Sequence, residues 1–170
     1  MRVALAIVVP LAAALLQGSV VPFVAIAGAR PNLVVLAAAS WAVAAGAREA
    51  VFWAFLGGIA ADLLSGGPLG AAALSALLPV AAVGLADSPG RARSVPAGAL
   101  LVGLASLGAG LVYLGVLAIS GTDLGEAPSL FAAVVGGAIY NGVLAIATYP
   151  LFRTLRRSTE KQASFTGQAW

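Results

Sequence analysis

The chain reads as an all-α integral membrane protein of six transmembrane helices, with both ends on the cytoplasmic side. Three observations predict this. Of its 170 residues, 61% are hydrophobic and 9% charged, whereas a soluble domain carries about 25% charged residues to cover its surface. The apolar residues form long blocks instead of alternating with polar ones, which argues against the strands of a membrane β-barrel. The basic residues gather at alternate block ends, as the bias of positive charge toward cytoplasmic loops requires.

A helix needs roughly 20 residues to cross the hydrocarbon, so the length allows about six spans. The first covers residues 3–22, its end blurred by Gln17, Gly18 and Pro22. The second, 31–46, opens on Pro31 and Asn32 and closes on Gly46. The third and fourth cover 50–64 and 69–85, the fifth 96–120 and the sixth 129–152. Residues 1–152 thus form one six-helix domain, and residues 153–170 a basic cytoplasmic tail placed against anionic headgroups. Spans two to four are short, which tilt of their neighbours or local thinning accommodates. A single re-entrant hairpin for the second and third is the alternative.

The connections follow from turn chemistry. Ser65-Gly66-Gly67-Pro68 combines glycines free to take positive φ with a proline that fixes the next φ. Residues 87–93, with Asp87, Pro89, Gly90, Arg91 and Arg93, form a second turn, and 121–128, with Asp123 and Glu126, a third. The join at 45–49 rests on Gly46 with Arg48 and Glu49. With the N-terminus inside, Arg2, Arg48, Arg91, Arg93, Arg153, Arg156, Arg157 and Lys161 fall on the cytoplasmic side and only Arg30 outside. A cleaved secretory signal ending near Ala25-Ile26-Ala27 competes for the first segment. The apolar run is long for that, and cleavage would leave the remaining orientation unchanged.

Several function classes are excluded. There is no cysteine and no histidine, so thiolate or imidazole metal sites, thiol nucleophiles and a Ser-His-Asp triad cannot be built. No cofactor is expected, and no catalytic residue can be named. The pI near 10 suggests nucleic acid only superficially, because the basic residues are few and sit at helix ends. Gly66-Gly67-Pro68-Leu69-Gly70 lacks the Lys and Ser/Thr of a phosphate-binding loop.

The polar residues inside the spans are few. Asp62 is the only acid predicted there, and intramembrane carboxylates are costly enough to suggest function. Near the outer end of its helix it could reach water, accept backbone N–H groups of the following turn, or meet Arg30. A structural role is favoured over proton handling, since no histidine, lysine or second carboxylate lies in the spans to serve as its partner. Asn141 and Gln17 read as interhelical hydrogen-bonding groups, worth about 1 kcal/mol each. Gly57, Gly58, Gly136 and Gly137 mark helix–helix contacts, because small residues let backbones approach. Trp41, Trp53 and Tyr113 serve either as interface-belt residues or as packing.

Specific residues carry a resemblance. Leu16-Gln17, then Gly28-Ala29-Arg30-Pro31-Asn32-Leu33-Val34, then the stretch from Gly57-Gly58 through Asp62-Leu63-Leu64 to Pro68-Leu69-Gly70, resembles the MreD family of bacterial rod-shape membrane proteins. Such proteins often have an acid at the position of Asn32, so this chain departs from the commoner pattern there. The order of spans fits over nearly the whole chain, while the motif is confined to about the first seventy residues. The resemblance implies a fold similar to the six-helix substrate-binding subunits of energy-coupling-factor transporters. It implies a non-enzymatic scaffold of the elongation machinery, in the bacterial inner membrane, that binds the bitopic protein MreC. Through MreC it would be linked to MreB filaments and to the RodA–penicillin-binding-protein pair. Pro31, Asn32, Asp62, Pro68 and Gly70 are the positions it implies for shaping the outer face. Pairing of two copies is left open.

Two other classes compete. A vitamin-binding transporter subunit needs polar groups converging on a cavity, and often Ala-x-x-x-Ala in the first helix. Here Val8 follows Ala4 and Leu16 follows Ala12 at that spacing. An intramembrane enzyme lacks the residues its chemistry would require.

Overall fold

The computed structural model describes residues 2–26, 28–86, 93–122, 124–125 and 127–167. Among them are six α-helices and no strand: α1 (Arg2–Ser19), α2 (Leu33–Ala45), α3 (Ala47–Ser65), α4 (Ala71–Ala86), α5 (Val95–Ile119) and α6 (Ala127–Gly167). Most of the turn assigned to 87–93, together with Asp123, Glu126 and Ala27, lies outside the described residues.

Local chemistry explains the boundaries. α1 stops at Ser19, short of the expected residue 22, and Val21–Phe23 form a single 3-10 turn. Pro22 has no N–H to continue the α-ladder. α2 starts where the Asn32 side chain accepts the Val35 N–H, an ordinary N-cap. Gly46 alone separates α2 from α3, with φ 95°, a backbone conformation that side chains resist. α6 does not stop at residue 152. It runs 41 residues, through most of the expected tail, because no glycine or proline interrupts 151–166 and the residues there are mainly good helix formers.

α5 and the stretch Pro128–Ser158 of α6 are long and apolar enough to cross a membrane, whereas α1, α2 and α4 are shorter apolar helices. α3 has 19 residues but carries Arg48, Glu49 and Asp62. At about 1.5 Å per residue α2 is only about 20 Å long. It is also the most enclosed element, with ten of its 13 residues buried, and it packs on each of the other five helices. The core gathers around it: Val35, Ala39 and Trp41 with Trp53, Val80, Val102 and Tyr149. The outer helix faces are apolar, with Val8, Leu15, Leu74, Leu78, Leu100, Leu104, Ile139, Val143 and Ile146 exposed. Soluble proteins rarely expose contiguous apolar surface on this scale.

The antiparallel pair α3–α4 is drawn together at two glycines. A Cβ on Gly58 would lie 2.3 Å from the Ala73 Cα, and one on Gly84 would lie 2.6 Å from the Ala47 Cα. The obstruction is backbone, which cannot rotate aside. Gly58→Ala is therefore expected to cost about 1–3 kcal/mol by overpacking. Gly115→Ala, where a Cβ meets nothing within 4 Å, should be neutral or slightly stabilising. Thermal unfolding midpoints of the two variants in one detergent check this contrast.

Candidate functional site

The connections α1–α2, α3–α4 and α5–α6 share one end of the bundle, called here the loop end. The N-terminus, the Gly46 joint and the far part of α6 share the other, the terminal end. Of the buried polar side chains, Asp62, Ser75, Ser106 and Asn141 lie toward the loop end.

Three amides organise the start of α2. Gln17 on α1 spans the backbone of Pro31 and Leu33: its Oε1 accepts the Leu33 N–H at 2.6 Å and its Nε2 donates to the Pro31 carbonyl at 3.2 Å. Asn141 on α6 spans Asn32 in the same way. Its Oδ1 accepts the Asn32 N–H at 3.1 Å and its Nδ2 donates to the Asn32 carbonyl at 2.9 Å. The same Nδ2 donates to Ser106 Oγ on α5 at 2.8 Å. Asn141 is wholly buried, so bonds to backbone and hydroxyl replace the water it lost. Helices α1, α2, α5 and α6 thus meet at one polar knot.

Asp62, 2% exposed, lies at the far end of α3. Its Oδ2 accepts the N–H groups of Gly70 at 2.9 Å and Ala73 at 3.4 Å, and its Oδ1 accepts Ala72 at 2.9 Å. These are donors at the start of α4 that have no partner within their own helix. A carboxylate there also meets the positive end of the helix dipole. Gly70, with φ 91°, turns its N–H toward the acid, while Pro68 is exposed and its carbonyl accepts Ala71 N–H at 3.2 Å. Among the described residues Asp62 and Arg30 form no ion pair. Arg30 instead stands exposed at the loop end.

The four glycines divide. Gly57 faces Pro10 of α1 and Val34 of α2, and Gly58 faces Ala73 of α4. Gly136 and Gly137 do not meet a helix as expected. Cβ atoms there would strike Ala29 and the Arg30 carbonyl at 2.7 and 2.8 Å. The segment before α2 is folded back onto α6, closed by paired backbone bonds between Ile26 and Ala29 and pinned by Tyr140 Oη donating to the Val24 carbonyl.

Two cavities, about 440 and 450 Å³, flank this folded segment and share Gln17, Arg30, Asn32 and Tyr113. The first adds Asp62, Ser65 and Ser75, and the second adds Ser106, Asn141 and the leucines 114, 117 and 130. Tyr113 is therefore cavity lining. Trp41 and Trp53 are packing: their rings stack at 4.7 Å, with Phe152 edge-on to both. Trp41 Nε1 donates to Glu49 Oε2 at 3.1 Å. Trp53 Nε1 is buried without a partner among the described residues.

Sequence reasoning did not single out Ser40 or Thr148, and it placed Arg156 only as a cytoplasmic charge. Ser40 Oγ and Thr148 Oγ1 lie 3.2 Å apart, and Arg156 Nη1 donates to the Ala44 carbonyl at the end of α2. Each is an ordinary residue in its local context, and only the pairing of α2 with α6 brings them together. Among the described residues no group of three acidic, histidine or cysteine side chains could hold a metal ion.

Comparison with known proteins gives one family. The family model described as rod shape-determining protein MreD matches residues 1–159. No curated protein and no solved structure matches the chain.

Proposed function

The chain belongs to the MreD family of rod shape-determining membrane proteins, and from that premise we propose that it is a non-enzymatic scaffold of the cell-elongation machinery. In this reading it binds MreC, and through MreC it is linked to MreB filaments and to the RodA–penicillin-binding-protein pair that builds lateral wall. It crosses the inner membrane six times with both termini cytoplasmic, in a fold similar to energy-coupling-factor substrate-binding subunits. The apolar exterior of the helices supports the membrane part. The positions of Arg30 at the loop end and Arg156 at the terminal end accord with the positive-inside bias. The basic stretch of α6 suits anionic headgroups.

One observation carries the scaffold reading. The buried polar side chains Asn141, Asp62, Ser40 and Ser106 are spent on hydrogen bonds that join or cap the chain's own helices. Their hydrogen bonds hold this fold together, and the apolar outer helix faces are left for a partner. Tagged MreC is expected to bring the full-length protein with it in a mild non-ionic detergent. Failure of the two to associate when both are folded and co-expressed would sink the reading. The mass of the purified assembly also tells one copy from two.

A second reading, a small-molecule carrier, is favoured by the loop-end cavities, whose size falls within the roughly 300–1,000 Å³ of ligand pockets. It ranks lower because the Asp62 carboxylate and the Gln17 and Asn141 amides lining them already bind backbone. A vitamin retained stoichiometrically by the purified protein would reverse the order.

A further inference from the structure

α2 and α6 run parallel and are joined by polar contacts at three levels. At the loop end Asn141 holds both backbone groups of Asn32. Midway, Ser40, wholly buried, meets Thr148. At the terminal end Arg156 donates to the carbonyl of Ala44, in the last turn of α2. These contacts extend over the length of α2, about 18 Å from residue 32 to 44 at helical rise. In an apolar surrounding no water replaces a broken bond, so sliding one helix past the other is costly. The connections of α2 to its chain neighbours differ: a single glycine on the α3 side, and a folded segment on the α1 side that rests against α6.

From this geometry we propose that α2 and α6 move as one strut, coupling the terminal end of α6 to the loop-end cavities. Asn32 lines both cavities. Any shift of α6 at Arg156 is then delivered to Asn32, and to the neighbouring Pro31 and Leu33 that Gln17 grips. α6 is suited to receive such a shift. Its 41 residues, with Pro150 among them, make about 60 Å of helix against about 38 Å for the 25 of α5, whose start meets α6 at Tyr149, so the far part of α6 extends past that neighbour. A partner acting on that projection would alter the cavities at the opposite end without touching them. This coupling lies within the chain and holds whatever occupies the cavities.

The absence of cysteine makes the test direct. Tyr113→Cys, at a position lining both cavities, and Leu69→Cys, at an exposed loop-end position lining neither, serve as single thiol reporters in the full-length protein in liposomes. Each is labelled with a membrane-impermeant maleimide, with and without Arg156→Ala. The expected result is a change of about fivefold or more in the labelling rate at position 113, in keeping with ordinary coupling strengths, and an unchanged rate at position 69. Thr148→Val, nearly isosteric and lacking only the hydroxyl, should move the rate at position 113 in the same direction. It decides the matter if Arg156→Ala does not fold. An unchanged rate at position 113 in the folded variants overturns the proposal. Equal changes at both reporters, which would mean general loosening, also overturn it.

Discussion

Replacing Asp62 by alanine is expected to destabilise the protein by about 2–4 kcal/mol, since a buried donor stripped of its partner costs about 1–3 kcal/mol. Three N–H groups at the start of α4, those of Gly70, Ala72 and Ala73, lose their acceptor together. The alanine methyl cannot bridge the gap, and the short turn leaves little room for the backbone to reorganise. Asp62→Asn keeps one acceptor oxygen and is expected to lose about half as much on the same reasoning. Thermal unfolding of the three proteins in one detergent measures the series. An equal loss in both variants would mean that the charge, rather than the pair of acceptor atoms, holds α4 in place. The damage should be local to the α3–α4 hairpin, so amide exchange is expected to rise first at residues 70–74.

Asn141→Leu is the second large effect, about 2–3 kcal/mol. Interhelical side-chain bonds in membranes average only about 0.6 kcal/mol, so three of them give about 2 kcal/mol. The remainder is the cost of leaving the Asn32 N–H and carbonyl facing a leucine. Leucine keeps most of the volume, so the loss reports hydrogen bonding more than a cavity. Because the knot joins four helices, Asn141→Leu should perturb the fold throughout, and on the scaffold reading proposed above also lower recovery with tagged MreC, whereas Leu100→Ala on the exposed face of α5 should perturb the fold much less. Normal stability with Asn141→Leu would show that the Asn32 backbone finds other partners.

Most elements are legible in the residues themselves. Blocks of alanine, leucine and valine predict six helices because backbone groups in an apolar setting must pair within their own segment. The Ser65-Gly66-Gly67-Pro68 turn and the Gly46 joint follow from residues that only particular backbone angles suit. Acceptance of turn N–H groups is one of the roles expected for Asp62, since an acid a few residues before a helix start has donors within reach. The end of α6 departs from expectation for the opposite reason. Span length stops at the hydrocarbon edge, but a helix stops only where its residues cease to favour it, and those after 152 favour it. Gly136 and Gly137 are expected to meet a helix and meet a folded segment instead, since a small residue records only that something comes close.

The amino-acid sequence alone thus determined the helical class, the apolar exterior, the order of segments and the family. These depend on local propensity and on how much hydrocarbon each block presents. Tertiary structure alone decided that Asn141 reads the backbone of Asn32, 109 residues away, and that Ser40, Thr148 and Arg156 belong to one α2–α6 contact. Burial of apolar surface is non-directional and sets no partner. The partner of a buried amide follows from the relative register of two helices, and that register is fixed by packing over their whole length.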